Sequence, residues 1–241
     1  ASSVPSMSPP PSPPLILALD TSSSLGSVAL RRGGQVVSGR AFEADHGHSQ
    51  KLLPAVDSVF DEAGVEARDV GIFAAVTGPG SFTGLRVSLA CVRGLAGERP
   101  CFGALATDVA AWAARRRGKR ILAITDLFHG EVFGSVHDED GALISGREAG
   151  DLGHVLDALK GFLQGAPIAV GSAAVKHRAA IAEAIPEVEI LEAPEGLAPH
   201  LASLAEANAS SATMCRASDL MPFYLRDPLT RGLLASQPKA R

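Results

Sequence analysis

Hydrophobic and polar positions recur along the chain in two similar series. Leu15–Leu19 is an unbroken apolar run that stops at Asp20, as in a strand buried on both faces. Thr21–Gly26 is a turn of small, mostly hydroxyl residues. A second strand is predicted over Ser27–Leu30, Gly33-Gly34 marks a hairpin, and a third strand follows at Gln35–Phe42. From Ser49 to Ala63 the period changes. Leu52, Leu53, Val56, Val59, Phe60 and Ala63 fall on one face of a helix, with Ser49 as its N-cap and Gly64 just past its end. Pro54 is awkward inside that helix. Gly71–Val76 reads as a buried strand, Gly78–Gly80 as a tight turn and Ser81–Gly97 as a second helix. A strand at Phe102–Leu105 and a helix at Thr107–Arg117 complete the first series.

The series then restarts. Arg120–Thr125 is an apolar strand followed by Asp126, Gly130–Val136 a second strand, and Ala142–Ser145 a third beyond the Asp140-Gly141 turn. A helix is expected near Asp151–Leu163, a strand at Ile168–Val170 and a helix at Ser172–Ala184. Three meandering strands followed by alternating helix and strand, twice over, imply an internal duplication. Each copy makes a mixed sheet flanked by helices. The boundaries fall at 1–14, a Pro/Ser tail; 15–118, the first lobe; 119–226, a reduced second lobe; and 227–241, a C-terminal tail.

Composition narrows this picture. The 241 residues include 40 Ala and 25 Gly but one Trp and one Tyr, which implies closely packed elements rather than an aromatic-rich binding surface. The net charge of −4 argues against nucleic-acid binding driven by bulk charge. Arg115-Arg116-Arg117 with Lys119-Arg120 is a dense basic cluster, read either as a phosphate contact or as a solvated helix end. Cys91, Cys101 and Cys215 are odd in number and form no C-x-x-C, so reduced cysteines in a cytoplasmic protein are expected. The first 14 residues lack the charged and apolar regions of a secretory signal, and Met7 is a candidate native start. No apolar run is long enough to span a membrane.

Candidate chemistry lies at the strand ends. Asp20, Thr21 and Ser22 form a turn that can cradle phosphate or simply satisfy its own backbone. Gly80 and Ser81 precede a helix, with Arg86 nearby: an anion site, or a plain capped turn. Asp126 is the second-series counterpart of Asp20, but Leu127 and Phe128 beside it do not suit a phosphate loop. Gly171 closes a strand as a generic turn glycine. Metal ligation would need partners for His48 beyond Asp45 and His46, and position 52 is Leu. On the Ser81–Gly97 helix, Leu85, Leu89, Val92 and Ala96 form an apolar stripe beside the small residues Gly84, Ser88 and Cys91.

Leu15–Leu30 (LILALDTSSSLGSVAL), His48–Pro54 (HSQKLLP), Thr77–Arg86 (TGPGSFTGLR) and Pro222–Arg226 (PFYLR) together resemble the TsaB family, bacterial tRNA threonylcarbamoyladenosine biosynthesis proteins. The resemblance is strong over residues 15–110 and weaker beyond, where Asp126 with Gly130–Phe133 carries it. It implies two RNase-H-like lobes of the actin/sugar-kinase/Hsp70 superfamily. It implies a non-catalytic scaffold that pairs with the catalytic subunit TsaD and the ATPase TsaE, and reaches tRNA through that complex. ATP and any metal then belong to the partners, with no catalytic residue and no metal site in this chain. The resemblance further implies that the two first-lobe helices pair with TsaD, or with a second copy when the chain is alone, with His48, Leu52, Val56, Gly84, Ser88 and Cys91 bordering the contact. On this reading Asp20, Thr21, Ser22, Gly80 and Ser81 are a vestigial phosphate loop. An ATP-binding enzyme or a metallopeptidase of the same superfamily is the alternative.

Overall fold

A computed structural model describes residues 12–43, 47–115, 118–127, 130–192, 194–209 and 212–225. The first series forms β1 (Leu15–Asp20), β2 (Leu25–Arg32), β3 (Gln35–Glu43), α1 (His48–Ala63), β4 (Val70–Gly78), α2 (Phe82–Ala96), β5 (Cys101–Leu105) and α3 (Ala106–Ala114). The second forms β6 (Ile121–Asp126), β7 (Val132–His137), β8 (Leu143–Gly150), α4 (Leu152–Leu159), β9 (Ile168–Val170), α5 (Ser172–Lys176), α6 (Arg178–Ala184) and β10 (Glu189–Ile190), followed by α7 (Ala198–Ala207). The sheet orders are β3-β2-β1-β4-β5 and β8-β7-β6-β9-β10. Antiparallel pairing joins the first three strands of each, and parallel pairing joins the rest. The duplication read from the pattern is therefore a duplication of topology.

Strand β1 shows why its sequence is apolar throughout. Successive side chains point to opposite faces. Leu15, Leu17 and Leu19 pack with Leu52, Val56, Val59, Leu89 and Val92 under α1 and α2. Ile16 and Ala18 face the other way, onto Leu201, Ala202 and Ala205 of α7. The second face is built largely of alanine: Ala18, Ala29 and Ala74 on the strands meet Ala198, Ala202 and Ala205 on the helix. Short side chains let that helix lie close on the sheet, which is one use of the Ala-rich composition.

Helix α7 carries Ala198, Leu201, Ala202 and Ala205 at helical spacing, a signal not read from the sequence. It follows the second series in the chain, yet it packs on β1, β2 and β4 of the first sheet. Several local expectations also change. Gly47, not Ser49, stands at the N-cap of α1, without a side-chain cap, and Pro54 is accommodated inside the helix. Leu53 lies on the open side, 53% exposed, because the sheet covers a narrower arc than the apolar pattern suggested. The predicted Ser172–Ala184 helix breaks at His177 into α5 and α6. Asp151 caps α4 through a 3.0 Å bond from the His154 N–H.

The lobes meet through polar contacts as well. Asp108 of α3 pairs with Arg147 of β8 at 3.1 Å, and lies 3.8 Å from Nε2 of His137 on β7. His137 is 1% exposed; its Nδ1–H donates to the Gly141 carbonyl at 3.1 Å and its Nε2 accepts from the Ser135 hydroxyl at 2.9 Å. Burial holds its pKa below the ordinary histidine value, with Arg147 acting in the same direction and Asp108, the Gly141 carbonyl and Asp138 opposing. The folded chain therefore keeps His137 neutral where the unfolded chain takes up a proton, below about pH 6.5. Stability attributable to this group is present above that pH and is lost as the pH falls through it. The thermal midpoint should drop between pH 7.5 and 5.5, and His137→Gln should reduce that drop; equal drops in the two proteins would refute the assignment.

Candidate functional site

Where β1 ends, the chain turns through Asp20, Thr21 and Ser22, all buried. Asp20 Oδ1 accepts from the Ser22 N–H at 2.9 Å and from its hydroxyl at 2.6 Å. The Leu197 backbone donates to the same carboxyl. Burial pushes the Asp20 carboxyl above the usual carboxylate range, against the pull of those donors. The β4–α2 loop presses onto this turn. Ser81 N–H donates to the Ser22 carbonyl at 2.7 Å, and the Thr21 hydroxyl donates to the Gly84 carbonyl at 2.7 Å. A Cβ on Gly80 would sit 2.2 Å from the Ser22 carbonyl oxygen, and one on Gly84 1.9 Å from that of Thr21. Both glycines are there because two backbones nearly touch. Ser81 caps α2, accepting from the Gly84 N–H at 3.1 Å. The five residues of the presumed phosphate loop thus come together, with their polar groups spent largely on one another.

The second lobe repeats the arrangement differently. Asp126 Oδ1 and Oδ2 accept from Lys176 Nζ at 2.8 and 2.7 Å, and the carboxylate lies 3.8 Å from His177 Nε2. Ser172 Oγ accepts from the Asp126 N–H at 2.9 Å. Between the two turns runs a cleft, and one pocket of it, about 320 Å³, is bordered by Ser22, His48, Gly80, Ser81 and Asp126. His48 opens α1 and donates from Nε2 to the Ser23 carbonyl at 2.7 Å, tying the helix start to the first turn. Asp45, His46 and Phe128 lie outside the described residues. Among the described residues no group of three or more His, Cys, Asp or Glu side chains could hold a metal.

The interface residues inferred for α1 and α2 need correction. Leu52 and Val56 are 0% and 2% exposed, Gly84 is buried against Thr21, and Ser88 is 0% exposed with its hydroxyl on the Leu85 carbonyl. These four are interior contacts. Helix α2 is wedged between the sheet, α1 and the Asp20 turn, so its buried arc takes in the small stripe as well as the apolar one. The open stripe lies one position over: Thr83, Ala90 and Gly94 are exposed, the half-buried Val87 among them leans on the core, and nothing lies within 4 Å of a Cβ on Gly94. Cys91 stays at the edge, and Asp57 of α1 reaches close enough to help burial hold its thiol up at about 11.

The C-terminal motif has a role that its sequence did not disclose. Cys215 pairs with Cys101 on the β5 edge through two backbone bonds of 2.8 and 2.9 Å. Arg93 of α2 donates to the Ala217 and Leu220 carbonyls. Phe223 N–H donates to the Thr77 carbonyl, its ring meets Phe133 of the second lobe at 5.8 Å, and the Tyr224 hydroxyl takes a bond from Arg86. This strap fastens α2 and touches both lobes; Arg226 lies outside the described residues. In the basic cluster, Arg115 stacks on Trp112 at 3.7 Å and Lys119 pairs with Glu189 at 2.9 Å, while Arg116 and Arg117 are not described.

Two lobes that repeat one five-stranded topology around a cleft define an actin-like ATPase fold. The same fold occurs in component A of (R)-2-hydroxyglutaryl-CoA dehydratase from Acidaminococcus fermentans, with a TM-score of 0.54 at 12% identity over 82% of this chain and 99% of that one. Within that class the chain is similar to TsaB, as its motifs led us to expect. The tRNA threonylcarbamoyladenosine biosynthesis protein TsaB of Escherichia coli K12 is 35% identical over 130 residues, 52% of this chain and 55% of that protein. The chain thus spans about half the length of the curated relative it matches. A Pseudomonas aeruginosa structure described as an uncharacterized protein with similarity to the peptidase YeaZ has a TM-score of 0.73 at 28% identity, over 88% of this chain and all of that one. The family profile of TsaD, tRNA N6-adenosine threonylcarbamoyltransferase, matches residues 42–102.

The close approach at Gly84 gives a direct check. Gly84→Ala and Ser88→Glu should each lower stability by about 2–4 kcal/mol through overpacking or a buried charge. Urea unfolding measures this; wild-type midpoints would mean that these positions face solvent.

Proposed function

We propose that this chain is a non-catalytic scaffold in bacterial tRNA N6-threonylcarbamoyladenosine modification, acting in the cytoplasm. It docks a TsaD-type subunit through the open face of α1 and α2, works with a TsaE-type ATPase, and reaches tRNA through that complex. Alone, it pairs with a second copy through the same face, since a self-complementary patch is what a two-fold dimer requires. The observation that carries the reading is that Thr83, Ala90 and Gly94 of α2 and Leu53 of α1 are exposed, on two helices that pack against each other. Small side chains there permit a partner helix to approach closely. Similarity to TsaB proteins supports the choice of pathway.

The cleft supports the same reading. A metal-nucleotide calls for free carboxylates at the strand ends. Asp20 is buried and bonded by Ser22 and Leu197, and Asp126 is held by the Lys176 ammonium. These residues do not fit a cation–nucleotide, so ATP and any metal are assigned to the partner subunits. The raised thiols of Cys91 and Cys101, both at about 11, do not suit nucleophilic catalysis either.

Ala90→Arg and Gly94→Arg should reduce co-purification with the TsaD-type subunit at least about tenfold while moving the thermal midpoint by no more than about 2 °C, as surface changes do. Retained pairing would reject the face. In reconstitution with TsaD, TsaE, ATP, threonylcarbamoyl-AMP and tRNA, omitting this chain should abolish or strongly slow modification. ATP turnover by the chain alone would instead favour an enzyme of the same fold.

A further inference from the structure

Cys101 opens β5, and Cys215 begins the strap laid along that edge. The two residues face each other in an antiparallel bridge. Each donates its N–H to the other's carbonyl, at 2.8 and 2.9 Å. Residues opposed in this way project their side chains from the same face of the sheet. Their Cα atoms stand about 5.5 Å apart, inside the span of about 4.4–6.8 Å that a disulfide bridges. The shared face is the one under α1 and α2, where Cys101 belongs to the core and Cys215 packs against it. The Cys215 thiol donates to the Cys101 carbonyl at 3.5 Å, and it helps burial hold the Cys101 thiol up at about 11. All three cysteines are free thiols, and Cys91 has Asp57 of α1 as its charged neighbour instead.

Access differs between the two. Cys101 is 0% exposed, whereas Cys215 is half-buried, so an oxidant from solvent meets Cys215 first. Cys215 is held by an isolated bridge rather than a strand. The strap can therefore draw in by the roughly 1 Å that separates opposed Cβ atoms from disulfide spacing. We propose that Cys101 and Cys215 form an oxidisable pair whose disulfide latches the strap to the β5 edge. The Cys215 thiol loses its proton to solvent, and the thiolate attacks one oxygen of hydrogen peroxide. The O–O bond breaks, leaving a sulfenic acid and a hydroxide that takes up a proton to become water. The Cys101 sulfur then attacks the Cys215 sulfur. The S–S bond forms, the S–O bond breaks, and the hydroxyl leaves as a second water with the Cys101 proton. Two thiols are oxidised and one peroxide is reduced. The same strap carries the Arg93 and Phe223 contacts, so the latch reinforces the hold on α2 and on Phe133 of the second lobe. It does not depend on the scaffold reading.

Peroxide treatment of the full chain, alkylation of the remaining thiols after unfolding, and non-reducing peptide mapping test it. The expected product is a Cys101–Cys215 linkage, reversed by dithiothreitol, with Cys91 alkylated. The bond closes a loop across 114 positions, so the linked chain should melt about 5 °C or more above the reduced one. Cys215→Ser should form no bond and show no such rise, while Cys91→Ser should link as the wild type does. Alkylation of both Cys101 and Cys215, a linkage through Cys91, or sulfinic acid at Cys215 without a bond would overturn the pairing. An unchanged midpoint in the linked chain would overturn the latch.

Discussion

Ser81 N–H reaches the Ser22 carbonyl at 2.7 Å, and the Thr21 hydroxyl reaches the Gly84 carbonyl at the same distance. This junction of the β1–β2 turn with the start of α2 determines much else in the first lobe. It requires glycine at 80 and 84, because side chains would collide with the carbonyls opposite. It fixes the entry of α2, which in turn settles which of its faces is buried. His48 fastens α1 to the same turn. The strap from Cys215 to Tyr224 holds α2 from the other side and carries the restraint across to Phe133.

Polar groups packed this closely have little left for a ligand. Asp20 and Asp126 occupy equivalent strand ends in the duplicated topology, and each is neutralised within the chain by a different device. Asp20 is enclosed by backbone and hydroxyl donors in a site where burial disfavours its charge. Asp126 stays near solvent and holds a lysine. Both strand-end carboxylates thus brace the turns that border the cleft. The helix pair on the outside is the face left open.

The abundance of small residues serves two separate ends. Alanines on α7 and the first sheet bring a helix close to strands inside the molecule, whereas Thr83, Ala90 and Gly94 lie exposed on its outside. Composition cannot separate these uses. Nor can helical periodicity, since Gly84 and Ala90 both lie on regular stripes of α2. The difference arises from what packs around the helix.

From the sequence alone, the paired strand–turn–strand series, the two-lobed duplication and the residues of the Asp20 turn were legible. Apolar runs and glycine turns are local consequences of burial and backbone sterics, and local chain carries them. Tertiary structure alone decided that Gly84 and Ser88 face inward, that Leu53 faces out, and that α7 returns to the first sheet although it follows the second. It also decided that Lys176 sits on Asp126 and that the C-terminal motif straps α2. Each of these depends on contacts between residues tens to more than a hundred positions apart. Such partners are set by which surfaces meet when the lobes close, and no local pattern records that.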